Sequence, residues 1–354
     1  MTELGQATGE RSRQEEDAIT TTTSDRLSHL PDSIIHQILS LLDDTKSAVQ
    51  TCSPVSLRNP VIDALKISYA DEECYERRNR KLLARVIQYA ASHGTQHLAI
   101  DVSKLPITLD IPDESFRFSQ FFAPILNSNF KTLEFKGYVV LDSGMGSPGF
   151  HNVTTLELDG CLLGYDAIQE WDPDPFSNFP CLENLVLTDC NYGSIFDNGK
   201  MSLRISGLSL LSLKLVAMTD YSCKIEVFAP KLKFFGLCGW GLYKGFNGIS
   251  LPSLEHAYVN VYGLDSKKLG RKELVERDLI PLFRSLSNAK SLTLHSRTIL
   301  MLSEFYELLE QPSPLKRLKS LIVDGDSIPR KLIDYFLKGD MKTGDHPGLS
   351  IRRS

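Results

Sequence analysis

Several residue groups in this chain are of types that can do chemistry, so their spacing decides what they could do. Gly144, Gly146 and Gly149 match G-x-G-x-x-G, the outline of a dinucleotide-cradling loop. Such a loop must open a helix, whose N-terminus then meets the pyrophosphate. Pro148 and Gly149 lead instead into an alternating stretch around Leu156, and the match reads as a connector. Asp172 and Asp174 flank Pro173 in an acidic loop, with nothing nearby to drive their acidities apart as a general acid/base pair requires. The eight histidines are scattered, and no paired C-x-x-C, H-E-x-x-H, G-x-S-x-G or phosphate-loop lysine motif occurs. Lys267, Lys268, Arg271 and Lys272, like Lys316, Arg317 and Lys319, are balanced by neighbouring acids and lack an aromatic stacking platform. The expectation is a protein without catalytic residues, metal or cofactor.

The elements that position everything else are short and recurrent. Leu156-Glu157-Leu158 is followed by Asp159-Gly160-Cys161, and Leu185-Val186-Leu187 by Thr188-Asp189-Cys190. Both read L-x-L-x-x-C, the strand-and-corner core of a leucine-rich repeat. Looser copies begin at Leu65, Leu98, Leu133, Leu213, Phe235, Ala257, Leu292 and Leu321, a mean period of about 28 residues. A strand has period two, so the two apolar residues of each copy share one face. One such strand cannot bury that face alone, whereas parallel neighbours bury it together. The fold class expected is α/β: a leucine-rich-repeat solenoid over residues 61–340 with a short parallel sheet. Cys161 and Cys190 turn inward at the corners as small apolar groups with weak S–H donors.

Alternation also names the outward side of the strands. Asp101, Glu134, Lys136, Glu157, Asp159, Lys214, His256, Tyr258, Thr293, His295 and Asp324 fall there, on the concave face of a stacked array. Mixed charge with few aromatics suits a polar protein partner better than an apolar small molecule.

The connectors are read more coarsely. Glu72–Ser92 reads as a helix with Leu82, Leu83, Val86, Ile87 and Ala90 inward, and His93 and His97 need no catalytic role. Phe116, Phe118, Phe121 and Phe122 read as core beneath a long loop. Glu273–Leu286, interrupted at Pro281, then Phe305–Leu309 and Ser327–Lys338, read as further helices, and residues 341–354 as a flexible tail.

Composition bounds the setting. The 354 residues are 42% hydrophobic and 23% charged, with net charge −5. No apolar run approaches the roughly 20 residues needed to span a bilayer. Seven irregularly spaced cysteines point to a reducing compartment, nucleus or cytoplasm. Nothing suggests a nucleic-acid or membrane partner.

Residues 1–24 are too polar to offset their ordering entropy and read as a disordered tail. At Asp25 the composition changes. Ile34, Ile35, Ile38, Leu39, Leu41 and Leu42 fall at helical spacing, Pro31 suits the first turn, and Thr45 can cap a second helix reaching Cys52. Leu30-Pro31-Asp32, Ile34, Ile38-Leu39-Ser40 and Leu42, followed by Thr45 to Cys52, resemble the start of the F-box motif. The closest likeness is to the large plant family that joins an F-box to divergent leucine-rich repeats. That resemblance implies a helical module at 25–60 docking on the Skp-type adaptor of a Skp–cullin–F-box ubiquitin ligase, with a protein substrate held on the repeats. Carried over by position, Leu30, Pro31, Ile34, Ile35, Ile38, Leu39 and Leu42 would bury themselves on the adaptor, and Val49 and Cys52 would support them from the second helix. The family's third, Trp-containing helix is missing: Pro54 and Pro60 interrupt that stretch, and the first Trp is Trp171.

Overall fold

The computed structural model describes residues 48–52, 63–68, 77–104, 116–118, 128–141, 150–163, 174–192, 202–218, 224–240, 249, 251–262, 276, 279–305, 309–324, 329–337 and 350–353. Of 48–52, 77–82, 116, 240, 337 and 350–353 it describes the backbone only. The chain is α/β, with a largely parallel sheet and few helices.

Twelve strands, named by their order in the chain, make the main sheet. It begins β1 (Ala48–Cys52), β2 (Ala64–Ser68), β3 (His97–Asp101), β5 (Thr132–Lys136), β7 (Thr155–Asp159) and β9 (Asn184–Thr188). It continues β12 (Ser212–Val216), β14 (Phe234–Trp240), β15 (His256–Tyr262), β16 (Ser291–His295), β17 (Ser320–Asp324) and β18 (Ser350–Arg353). Spatial order follows chain order, and every pairing but β1–β2 is parallel. All ten repeated copies read from the sequence are strands of this sheet, and they sit in one register. Leu65, Leu98, Leu133, Leu156, Leu185, Leu213, Phe235, Ala257, Leu292 and Leu321 form a single row, each the Cα partner of the next. Every member of that row is buried, and so is the row two residues on, from Ile67 to Val323. Each Leu, Ile, Val or Phe of these rows contributes about 1.5–3 kcal/mol relative to exposure, so the two rows make the core.

The backbone explains the common register. Before each strand, one carbonyl accepts two successive N–H groups from the next copy. Lys131 O takes Thr154 and Thr155, Thr154 O takes Glu183 and Asn184, and the pattern runs on to Lys290 O, which takes Lys319 and Ser320. After β5, β7, β9 and β12 the chain turns through left-handed backbone at Gly137, Gly160, Asp189 and Ala217. Their N–H groups donate to Asp159, Thr188, Val216 and Cys238 carbonyls at 2.7–2.8 Å. Beyond these corners lies a second parallel sheet of four strands: β4 (Phe116–Arg117), β6 (Val139–Leu141), β8 (Leu162–Leu163) and β10 (Asn191–Tyr192). A third pairs β11 (Ser202–Ser206) with β13 (Lys224–Phe228). Cys161 and Cys190 are buried at the corners, as expected, with Sγ within 3.4–3.7 Å of carbonyls in their own and the preceding copy.

The described helices lie in connectors between strands of the main sheet. Helix α1 (Arg77–Ser92) joins β2 to β3 and buries Leu83, Ile87 and Ala90. It ends in a Schellman motif: Gly94 has φ +76°, Thr95 N–H donates to Ala90 O and Gly94 N–H to Ala91 O. Helix α2 (Ile280–Ser285) carries Pro281 in its first turn, and Leu279 before it already has right-handed helical backbone; of the expected stretch 273–286, residues 273–275 and 277–278 lie outside the described residues. Helix α3 (Ser296–Ser303) follows β16 directly and ends before Phe305, upstream of the helix expected at 305–309. Helix α4 (Arg330–Leu337) lies within the expected terminal helix and buries Leu332, Tyr335 and Phe336. Phe118 sits edge-on to Phe135 and Phe150 in the core.

Two expectations are corrected. Ala48–Cys52 is not the second half of a helical pair but strand β1, antiparallel to β2, with Val49 opposite Ile67 and Cys52 opposite Ala64. Alternation with β-branched Val49 and Thr51 favours a strand, and the open edge of β2 supplies its hydrogen bonds. Ser350–Arg353 is not a free tail but the last strand, parallel to β17. The sheet therefore reaches past 61–340 at both ends. No helix among the described residues is long and apolar enough to cross a membrane.

Candidate functional site: the outward face of the main sheet

Because the Leu rows are buried, the alternate positions of each strand face away from the core. Every residue assigned to that side from sequence is at one of them. Glu134, Glu157, Lys214, Tyr258 and Thr293 lie on the middle row, between the two Leu rows; Asp101, Lys136, Asp159, His295 and Asp324 lie one step further along, and His256 one step before. Register, not sequence proximity, brings them together.

Over β2 to β9 the face holds a shallow depression of about 220 Å³, lined by Lys66, Asp101, Glu134, Lys136, Glu157 and Asp159 among others. Its charges are partly paired across strands. His97 Nε2 lies 3.0 Å from Glu134 Oε1, and Lys136 Nζ lies 3.3 Å from Asp159 Oδ2. Asp101 accepts from its own turn, from Ser103 N–H at 3.0 Å and Ser103 O–H at 2.6 Å. At the corner, partial burial and then the Asp159 carboxylate push the Asp189 carboxyl above its usual range. All these side chains stay half-exposed or exposed, so the pairs fix side-chain position more than they add stability.

Over β14 to β17 the face changes character. Phe234 lies against the backbone of Gly236, where an added Cβ would come within 3.1 Å of its ring and 3.2 Å of the Lys214 stem. Tyr258 is pushed above the usual phenol range, mainly by burial. Asn260 donates towards Cys238 Sγ at 3.5 Å. His295 Nδ1 accepts the Arg297 N–H at 3.3 Å and caps α3, and its Nε2 lies 3.7 Å from Asp324 Oδ2. Tyr262 carries the Arg297 guanidinium over its ring at 5.2 Å. Phe234, Tyr262 and Arg297 were missed from sequence, because they lie at or beyond the ends of the five-residue motif. The longer strands β14 and β15 carry the face further there.

Other candidates separate from this face. His93 stacks on Tyr89 at 3.9 Å at the end of α1. Asp174 accepts the Ser206 N–H at 3.5 Å in a connector; its neighbour Asp172, and the 144–149 motif, lie outside the described residues. Leu30, Pro31, Ile34, Ile35, Ile38, Leu39 and Leu42 lie outside them too. Of the adaptor-binding set only Val49 and Cys52 are described, in β1 and through their backbone alone. Among the described residues no group of three or more His, Cys, Asp or Glu could hold a metal ion. The arrangement is a broad polar surface, suited to recognition.

No protein-family model matches the chain, and no curated protein matches it.

Proposed function

We propose that this chain is a leucine-rich-repeat protein that binds a protein target on the outward face of its sheet. It serves as the substrate-recognition subunit of a Skp–cullin–F-box ubiquitin ligase. One observation carries the recognition half. Ten strands in a common register present a continuous, polar, mixed-charge surface with a rigid backbone beneath it. Such a surface matches the composition of protein–protein contacts, where polar rims surround a few aromatic anchors. Tyr258 and Phe234 are the anchors, and Glu134, Lys136, Glu157 and Asp159 set charge specificity. The ligase half is supported by the resemblance of residues 30–52 to the F-box. The chain performs no chemistry in this role: a Skp-type adaptor, and through it a cullin, brings the transfer machinery to the target, in nucleus or cytoplasm. The test is co-purification of the full-length chain with a Skp-type adaptor. Binding is expected, and Ile38→Asp abolishes it; a wild-type chain that captures no adaptor refutes the ligase role.

Strand β1 favours a second reading. Ala48–Cys52 belongs to the sheet, which leaves less chain for a helical module than the F-box pattern needs. On this reading the protein is a recognition scaffold uncoupled from a ligase. Removing residues 1–47, which spares β1, then leaves target capture unchanged, and the full chain supports no ubiquitin transfer.

A further inference from the structure

The turns that enter β14, β15, β16 and β17 are locked side by side. Lys233 O accepts the Glu255 and His256 N–H groups, Glu255 O those of Lys290 and Ser291, and Lys290 O those of Lys319 and Ser320. Ser253 Oγ–H donates to Pro230 O at 2.7 Å, and Asn288 Nδ2–H to Leu251 O at 3.2 Å, tying each turn to the one before it. This scaffold places Lys233, Glu255, Lys290 and Lys319 in one row, with Lys231, Lys316 and Arg317 on the same turns. All six cations are exposed. Lys316, Arg317 and Lys319 have acids near them in the sequence but make no ion pair among the described residues, and of the six cations only Lys290 does, with Glu255 Oε1 at 3.1 Å. The Glu255 carboxyl is held below its usual range, first by Lys290 and less by Lys233 and His256, which shows those groups facing it. Three lysines thus share a row with one carboxylate, and three further cations lie on the same turns, on a chain whose net charge is −5.

We propose that this strand-entry edge is a second docking surface, separate from the outward face, and that its occupant is an acidic, Asp/Glu-rich segment of a partner protein. Strands about 4.8 Å apart make the row roughly 15 Å long. That length fits four or five residues of extended polypeptide at about 3.3 Å each. It is short for a nucleic-acid track, it carries a carboxylate in its middle, and no aromatic residue lies on these turns for bases to stack on. The inference does not depend on the ligase role.

The experiment uses the full-length chain and a fluorescent peptide of about eight residues alternating Glu and Ser. Controls are the matching Lys/Ser peptide and an oligothymidylate of similar length. Binding of the Glu/Ser peptide alone is expected, weakening about tenfold from roughly 50 to 250 mM salt. Lys233→Glu with Lys319→Glu should weaken it by a further tenfold or more, and Glu255→Gln should tighten it about threefold, by the loss of like-charge repulsion. Lys214→Glu, on the outward face, should leave it unchanged. These sites are exposed, and thermal melts confirm that the variants fold. Equal binding of the Lys/Ser peptide, indifference to the Lys233/Lys319 double change, or tighter binding of the oligothymidylate at the same salt would each overturn the proposal.

Discussion

Gly137 tests whether the units are held at a fixed separation by their corners. It follows β5 with φ +97°, and an added Cβ would sit 2.5 Å from both Ser103 N and Val102 C, backbone atoms of the previous corner. Gly160 occupies the same place one unit on, with φ +71°, but there the nearest atom to an added Cβ is 3.7 Å away. Both alanine variants incur the left-handed strain of an L residue, about 1–2 kcal/mol, less a few tenths recovered from the unfolded chain. Only Gly137→Ala must also push two backbones apart by about 1 Å. That movement stretches Val102 N–H to Lys136 O, at 2.7 Å, the bond that joins the two corners. With roughly 1 kcal/mol for that bond, the expected losses are about 2–3 kcal/mol for Gly137→Ala and about 1 kcal/mol for Gly160→Ala. Urea unfolding followed by far-ultraviolet circular dichroism separates them, since the larger loss lowers the midpoint by on the order of 1 M. If the two variants unfold within about 0.5 kcal/mol of each other, close approach of the corners is not what sets the spacing.

Three other outcomes follow from the same structure. Thr298 is buried in α3; its hydroxyl takes the Val261 N–H at 2.7 Å and lies 3.0 and 3.2 Å from the Val261 and Val259 carbonyls. Thr298→Val should cost about 1–3 kcal/mol and speed amide exchange at Val261, while Thr298→Ser keeps the protection; slow exchange in the Val variant would refute the assignment. Asp189, whose carboxyl is raised, is destabilising above its folded pKa, and that penalty disappears as pH falls to the ordinary carboxylate range. Asp189→Asn tolerates the φ of +48° and should stabilise the protein at neutral pH by up to about 0.5 kcal/mol, with the gain vanishing near pH 4; an equal gain at both pH values contradicts it. Glu226 is held low by Lys224 at 2.6 Å and by Arg204 at 3.4 Å, so its contribution is present above the ordinary carboxylate range and is lost as pH falls through its lowered value. Glu226→Gln should therefore reduce stability at pH 7 and flatten the acid limb of a melting-temperature profile, and an unchanged limb counts against the pairing.

The strands were legible because each copy repeats a period-two signal, and the outward residues followed from the same alternation. What sequence reasoning missed had no local period. Strands β8 and β10 are two residues long, and β1 and β18 form by pairing with edges that tertiary structure supplies. A buried apolar residue three places before the first position of several copies, such as Val153, Leu182, Leu232 and Leu254, was visible but overlooked. It extends the motif to L-x-x-L-x-L and would have sharpened the strand starts. The cationic row could not be read linearly, because Lys233, Lys290 and Lys319 are far apart in the chain and meet only through register. Thr45 to Cys52 was read as a helix because Thr45 can cap one, whereas Val49 and Thr51 favour the strand that forms over Ala48–Cys52.

The carbonyl that serves two amides before every strand has a consequence for how such a chain can change length. Thr154 and Thr155 bind Lys131, and Glu183 and Asn184 bind Thr154 in the same geometry. Excising residues 154–182 would let Glu183 and Asn184 inherit the acceptor that Thr154 and Thr155 vacate, with Leu185 taking the seat of Leu156. Gain or loss of whole modules by recombination therefore preserves every join, while cuts of any other size break two.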